Sequence, residues 1–240
     1  MAGPEEIARN LEKARADLAR AAERCGRDPQ SVAIMAVTKT VPLAEVQSAC
    51  AAGLSLFGEN RVQEAEAKYG AGLPRRAGLP PLSLHLIGHL QRNKARKAAE
   101  LFKAVDSIDK VETAQALEAA CAVSGRTLDI LLEMNTSGES TKFGFAGEEA
   151  LLAAVEPILG LPHLRLRGLM TVGPLAAETE AVRAAIRRLA RQLERLRAGY
   201  PGLPLEVLSM GMSGDFQIAV EEGSTQVRLG TSLFGTRVNP

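Results

Sequence analysis

A closed parallel (β/α)8 barrel of the TIM type, preceded by one extra helix, is the fold this sequence predicts. Three observations lead there. Short apolar runs rich in Val, Ile and Leu recur near residues 32–38, 54–57, 84–87, 104–108, 128–134, 164–170, 205–209 and 226–229. Helical stretches separate these runs, the alternation expected of a parallel α/β fold. The chain has 240 residues, close to the ~250 typical of such a barrel. An open doubly wound sheet is the competing architecture, and it usually carries a Gly-rich turn after its first strand. Here that turn is Thr38-Lys39-Thr40-Val41-Pro42, with no glycine.

The elements follow in order. Ile7, Leu11, Ala14, Leu18 and Ala21 recur at helical spacing, so a helix precedes strand one. Gly70 to Leu82 is a Gly/Pro-rich loop before strand three. Val182, Ile186, Leu189, Leu193 and Leu196 form the clearest apolar stripe at helical period. Arg183, Arg187, Arg188, Arg191 and Arg195 lie on its other face. That face reads as solvated rather than as a nucleic-acid surface. No break in composition divides the chain, so residues 1–240 are expected to form a single barrel domain.

Composition narrows the function classes. Hydrophobic residues make up 46% of the chain, enough for a sizeable core, and the net charge is +1. With charges spread along the sequence, nothing draws it to nucleic acid or to an anionic membrane. Aromatics are 3% and Trp is absent, which argues against a base-stacking platform. Cys25, Cys50 and Cys121 show no CxxC spacing. Cys50 and Cys121 sit in Ala-rich stretches and read as small buried residues. The opening residues MAGPEEIARN lack an apolar h-region, so no signal peptide is expected. No run approaches about 18 apolar residues. A soluble cytoplasmic protein without a membrane span is the expectation.

In such barrels the working face lies at the C-terminal strand ends. Stretches bearing chemically capable residues gather just after or at the ends of the apolar runs: Lys39, Gly58 to Arg61, Gly88 to Gln91, Asp106 to Asp109, Asn135, Met170 with Thr171, Ser209 to Asp215, and Arg228 to Ser232. Lys39 has two readings. It is a snorkelling surface charge, or an amine desolvated enough for its neutral form to attack a carbonyl and form a Schiff base. The last two turns bear on the choice. Gly211, Ser213 and Gly214 are expected to open a helix after strand seven, and Gly230, Thr231 and Ser232 another after strand eight. Glycines let backbone N–H groups approach an anion, and phosphate sites in barrels are often built from these two loops. Ordinary capping by Ser213 and Ser232 is the plainer alternative for either turn alone. Closure sets strand eight beside strand one, so Lys39 stands next to the Gly230–Thr231 turn. A Schiff-base lysine beside a phosphate site points to pyridoxal 5′-phosphate. A sugar-phosphate aldolase stays open on spacing alone.

Other candidates are weaker. His85 and His89 have i,i+4 spacing, but on a strand and turn and with no third ligand, so no metal is expected. His163 follows a Leu-Pro turn and reads as a surface residue. Asp106 and Asp109 could act as bases, while capping of the next helix is the plainer role for Asp109. Lys142 lies in a Ser/Gly-rich loop that is either an anion-binding lid or plainly solvated.

Five segments in order resemble the pyridoxal phosphate homeostasis protein family: Ala36-Val-Thr-Lys39-Thr, Phe57-Gly-Glu-Asn60-Arg-Val-Gln-Glu64, His85-Leu-Ile-Gly-His-Leu-Gln-Arg-Asn-Lys94, Leu208-Ser-Met-Gly-Met-Ser213 and Val227-Arg-Leu-Gly-Thr231. The resemblance runs from about residue 5 to the C-terminus. It implies a fold-type III, alanine-racemase N-terminal-domain-like barrel with pyridoxal 5′-phosphate held as an internal aldimine on Lys39. It implies that Arg228 faces the pyridine nitrogen and that Gly230 and Thr231 bind phosphate, with Ser209 and Ser213 alongside. It also implies that Asn60 of the GEN motif lies near the cofactor. Met170, at the end of strand six, is a further candidate cofactor contact by its position. Two positions depart from the family pattern. Val41 stands where a second lysine is common, and Arg61 where tyrosine is usual, which puts cofactor transfer in doubt rather than cofactor binding.

The expected role is therefore a carrier or buffer of the cofactor in vitamin B6 homeostasis, with no catalytic residue and no metal. A low-activity amino-acid racemase is the alternative. Racemisation needs a base on each face of the cofactor, and the racemases take one, a tyrosine, from a second domain. This chain ends at Asn239-Pro240, soon after strand eight. Tyr69 and Tyr200, its only tyrosines, are expected far from the strand ends. An arginine at the ring nitrogen would also weaken the electron sink. Apo forms of pyridoxal-phosphate enzymes are the possible partners, and a monomer is expected.

Overall fold

The computed structural model describes residues 2–70, 72, 82–139, 141–174 and 178–236. Along them run α1 (Pro4–Arg24), β1 (Ala33–Val37), α2 (Leu43–Ala51), β2 (Leu56–Glu59), α3 (Val62–Tyr69), β3 (Ser83–Leu86), α4 (Ala95–Leu101), β4 (Ala104–Ile108), α5 (Val111–Ser124), β5 (Leu128–Glu133), α6 (Glu148–Leu159), β6 (Leu164–Met170), α7 (Thr179–Gly199), β7 (Val207–Met212), α8 (Phe216–Glu221), β8 (Gln226–Leu229) and α9 (Thr231–Phe234). Most of the expected Gly70–Leu82 loop and the last four residues lie outside the described residues. The eight strands pair in sequence order and close into a barrel, β8 lying parallel to β1.

Alternation along each strand explains both surfaces of the sheet. Ala36, Phe57, Leu84, Leu86, Val105, Ile130, Leu132, Leu169, Leu208, Val227 and Leu229 join the apolar layer between sheet and helices. Their neighbours His85, Asp106, Glu133, Ser209, Gln226 and Arg228 take the other side, and Gln226 reaches across the barrel to Asp106. The apolar layer supplies the folding energy, at roughly 1.5–3 kcal/mol per fully buried large aliphatic side chain. The barrel axis is left for polar chemistry.

The extra helix forms as its spacing predicts. Ile7, Leu11, Ala14, Leu18 and Ala21 are all buried. Pro4 opens it, and Glu5 and Glu6 in its first turn face the positive end of its dipole. It packs against α2, α8 and α9. Asn10 Nδ2 donates to the Leu233 carbonyl at 3.0 Å, and Arg27 just beyond it donates to the Val220 and Ser224 carbonyls. These contacts tie the helix to the elements that flank the β8–β1 seam.

On α7 the predicted stripe is buried throughout. Its basic face is exposed at Arg187, Arg188, Arg191 and Arg195, as expected, with Arg183 half-buried. Arg183 pairs with Glu221 and Glu222, Arg187 pairs with Glu222, and Arg188 donates to the Thr136 carbonyl. Strand seven also differs from the sequence reading: it runs to Met212 rather than stopping at 209. Gly211 is part of that strand and does not open a helix. Its φ is +93°, and a Cβ there would meet the Ala219 Cβ at 2.5 Å, so α8 folds back directly onto the strand end. Periodicity could not show this, because a glycine at positive φ reads equally as a turn. Cys50 and Cys121 are buried and Cys25 is exposed. Among the described residues no helix is long and apolar enough to cross a membrane.

Candidate functional site

Lys39 leaves the barrel immediately after β1, in a tight turn closed by the Val41 N–H donating to the Thr38 carbonyl at 2.9 Å. Its side chain is exposed, while Thr38 beside it is fully buried. Thr40 has φ +59°, the one positive-φ residue other than glycine among those described. A β-branched residue there is strained and needs outside support. The support comes from β2 and α3. The Thr40 N–H donates to Glu64. Thr38 Oγ1 donates to Glu59 Oε1 at 2.8 Å and lies 3.1 Å from the Tyr69 hydroxyl. Lys68 Nζ donates to the Thr38 carbonyl at 2.6 Å and to Glu59 at 2.7 Å. Tyr69 was expected far from the strand ends. It sits instead under the Lys39 turn, donating to Glu59. Burial pushes its phenol above the ordinary tyrosine range; the Thr38 bond opposes this and the Glu59 charge adds to it.

The β7–β8 rim faces this turn across the seam. Because Ala33 to Ala36 pair with Gln226 to Leu229, Lys39 and Gly230 leave the sheet at the same end. Ser213 Oγ accepts from two backbone N–H groups, those of Gly230 and Ser232, each at 3.2 Å. Ser213 therefore does not cap α8. That helix starts at Phe216 after Asp215, whose carboxylate accepts from the Met212 N–H at 2.5 Å. Thr231 is the first residue of α9 and is exposed. Amide donors gathered on one hydroxyl, beside exposed Thr231, can serve an anion.

Below this rim the axis of the barrel holds a continuous polar chain. Arg228 is buried; it donates to Ser209 Oγ at 2.8 Å and to the Thr171 carbonyl at 2.7 Å. Burial lowers its guanidinium from the ordinary range, while the charges of Asp106, Glu133 and Asp215 pull it back up. Gln226 bridges Ser209 and Asp106, and Asp106 meets His85 Nδ1 at 3.0 Å. Ser209 and Arg228 were read as following their strands. Both lie inside them, and alternation with Leu208, Val227 and Leu229 turns them into the barrel. Met170 is buried at the end of β6, in register with Ser209 and Glu133.

Asn60 stands on the other side of the mouth. A cleft of about 480 Å³ is lined there by Asn60, Arg61, His89, Lys94, Glu133 and Phe143, among others. Gly88 packs so closely on Asn60 that a Cβ would lie 2.3 Å from the Asn60 carbonyl oxygen. Asn60 Oδ1 is buried without a hydrogen-bond partner among the described residues, so it offers an acceptor to a bound molecule. Burial pushes the Glu133 carboxyl up to about 7, with Asp109 adding to the rise and Arg228 opposing it. Phe143 stacks on His89 with ring centroids 4.0 Å apart. His89 Nδ1 is 3.1 Å from Asp109 Oδ2 but without hydrogen-bond geometry. Asp109 accepts from the Thr113 hydroxyl at 3.3 Å and does not cap α5 through a backbone N–H, contrary to expectation. Lys142 donates to the Gly173 carbonyl and pairs with Glu139. His163 is tied to Glu118. Among the described residues no group of three candidate side chains could hold a metal.

An amine, a turn with two backbone N–H groups on one serine hydroxyl, and a buried guanidinium thus share one end of a barrel. Residues 9–238 match the family model described as alanine racemase, N-terminal domain. The pyridoxal phosphate homeostasis protein of Pseudomonas aeruginosa is 45% identical over 231 residues, 96% of each chain. The chain belongs to the pyridoxal phosphate homeostasis protein family. The Escherichia coli K12 member is 39% identical over 97% of each chain. PipY of Synechococcus elongatus, solved with PLP bound, superposes with a TM-score of 0.82 at 36% identity, over 95% of this chain and all of that one. Alanine racemase of Bacillus anthracis gives a TM-score of 0.70 at 19% identity over 98% of this chain and 57% of that one, a likeness of fold.

Set against the family motifs, the structure shows what the sequence reading missed. Glu59 of the GEN motif is not a mouth residue but a buried anchor, with 0% exposure and contacts to Thr38, Lys68 and Tyr69. Lys68 and Tyr69 on α3 carried no distinguishing signal beyond their nearness to that motif. Val41, which replaces the family's second lysine, is buried. Arg61, which replaces its tyrosine, is exposed at the cleft.

Proposed function

We propose that this chain binds pyridoxal 5′-phosphate through Lys39 and serves in vitamin B6 homeostasis as a carrier or buffer. The observation that carries the reading is the convergence of Lys39, the Ser213–Gly230 turn and Arg228 at one end of the β8–β1 seam. The cofactor supplies an aldehyde that a lysine amine captures reversibly, and a phosphate that fixes its position. Lys39 is the amine. The N–H groups around Ser213, with Gly230 and Thr231, hold the phosphate. Ser209 keeps Arg228 aimed along the axis, and Asn60 offers its free acceptor from the opposite wall. Met170 closes the floor beside Ser209.

The reading as carrier rather than catalyst rests on two features of the chain. Arg228 keeps its proton at any physiological pH, so a ring nitrogen facing it stays unprotonated and withdraws electrons poorly. Tyr69, the tyrosine nearest Lys39 among the described residues, is committed to Thr38 and Glu59. One observation favours the runner-up, a slow amino-acid racemase: Glu133 titrates near neutrality at the cleft, as a general base would. Incubation with single-enantiomer amino acids decides. Turnover at or above about 1 s⁻¹, an ordinary enzyme rate, would overturn the carrier reading.

Recipients in this reading are apo pyridoxal-phosphate enzymes, met in the cytoplasm by a monomeric carrier. Mixing loaded protein with such an apoenzyme, and following the visible band and the recovered activity, tests the transfer. Light scattering tests the monomer.

A further inference from the structure

We infer that Lys68 is a positioning residue for Lys39: its ammonium clamps the strained turn that presents the Lys39 amine. The inference rests on the proposed role of Lys39. Four observations carry it. Thr40 is held at φ +59° one residue after Lys39. The Thr38 carbonyl, which closes this turn, accepts from both the Val41 N–H and Lys68 Nζ. The two carboxylates that grip the turn, Glu59 on Thr38 Oγ1 and Glu64 on the Thr40 N–H, are each within 3.3 Å of the same Nζ. The Lys68 side chain is 9% exposed and that of Glu59 is 0%.

The physical consequence follows from charge. Glu59 and Glu64 would repel each other and the Thr38 carbonyl if no cation stood between them. Lys68 neutralises both while spending its donors on three oxygens of one small region, which suits a compact ammonium with three N–H bonds. A residue in left-handed conformation persists only where its surroundings over-determine it. Removing Lys68 takes away the common anchor of β1, β2 and α3, and Thr40 can then relax toward negative φ. That rotation redirects the Cα–Cβ bond of Lys39, and an attacking amine misplaced by about 1 Å loses rate steeply.

Two variants separate positioning from folding. Lys68→Met leaves Glu59 buried without its cation, so it is compared with Glu59→Gln/Lys68→Met, which removes the charge imbalance. In both, the Thr40 and Val41 amides of cofactor-free protein should exchange with deuterium at least 10-fold faster, while β1 amides stay protected. Covalent uptake of pyridoxal 5′-phosphate, followed by its visible band, should slow at least 10-fold at equal folded fraction. Lys68→Arg should recover part of the rate. Wild-type turn exchange in the double variant would overturn the inference, as would uptake that falls only in step with lost folded protein. Failure of wild-type protein to take up the cofactor would sink the Lys39 reading, yet turn exchange would still test the clamp.

Discussion

Arg228 Nη1 donates to Ser209 Oγ at 2.8 Å, deep in the barrel axis, and the same hydroxyl also accepts from Gln226 at 3.0 Å. Two buried donors from β8 therefore depend on one oxygen from β7. Ser209→Ala leaves both short of an acceptor, and an unsatisfied buried donor costs about 1–3 kcal/mol. Urea unfolding should show a loss in that range. A loss under ~0.5 kcal/mol, ordinary for a surface substitution, would show that the hydroxyl is dispensable.

Glu133 predicts a pH dependence of stability. Its folded carboxyl is raised to about 7 from an ordinary 4.5, chiefly by burial. A raised folded value means that the native state holds the proton more tightly than the unfolded chain. Its contribution is complete at pH 4 and is lost as pH rises through 7. Glu133→Gln mimics the neutral form. It should match the wild type near pH 4.5 and exceed it by on the order of 2–3 kcal/mol at pH 8. Urea midpoints at the two pH values check this, and equal differences at both would refute the assignment.

Lys39→Ala separates the tether from the fold. The side chain is exposed, so stability should change by less than ~0.5 kcal/mol. The protein should no longer show a visible band that borohydride fixes covalently. Retention of that band would direct attention to another lysine, such as Lys142.

Gly88→Ala tests the seating of Asn60. The new Cβ would fall 2.3 Å from the Asn60 carbonyl oxygen and 2.8 Å from its Cα, and rigid backbone cannot yield cheaply. Overpacking of this kind costs about 1–3 kcal/mol. The variant should lose that stability and bind pyridoxal 5′-phosphate more weakly, both readable in one thermal titration with the cofactor. A neutral Gly88→Ala would mean that the β2 and β3 loops part easily.

Legibility differed by element. Strands β4, β6 and β8 lie where their apolar runs put them, since both faces of those stretches are buried or bulky. Strand β7 was read three residues short, because Gly211 punctuates the pattern. At the site, the Lys39 and Gly230 motifs were legible as a lysine and a glycine turn at strand ends. The anchors Glu59, Lys68 and Tyr69 were not. Their meaning lies in distances between β1, β2 and α3, and a buried Lys–Glu pair looks in sequence like any helix-surface pair.

By itself the sequence determined the period-two and period-3.6 patterns, the order of eight strands and the extra helix, and so the barrel; apolar burial is roughly additive along the chain and readable one segment at a time. Only the tertiary structure decided which polar residues turn inward and meet. Gln226 and Asp106 lie 120 positions apart in sequence, yet with Ser209 and Arg228 they form one chain of contacts. Lys39 likewise depends on a lysine 29 positions away, whose ammonium reaches the Thr38 carbonyl at 2.6 Å. Hydrogen bonds and charges act over a few ångströms in space, and closure of the barrel is what brings those partners into range.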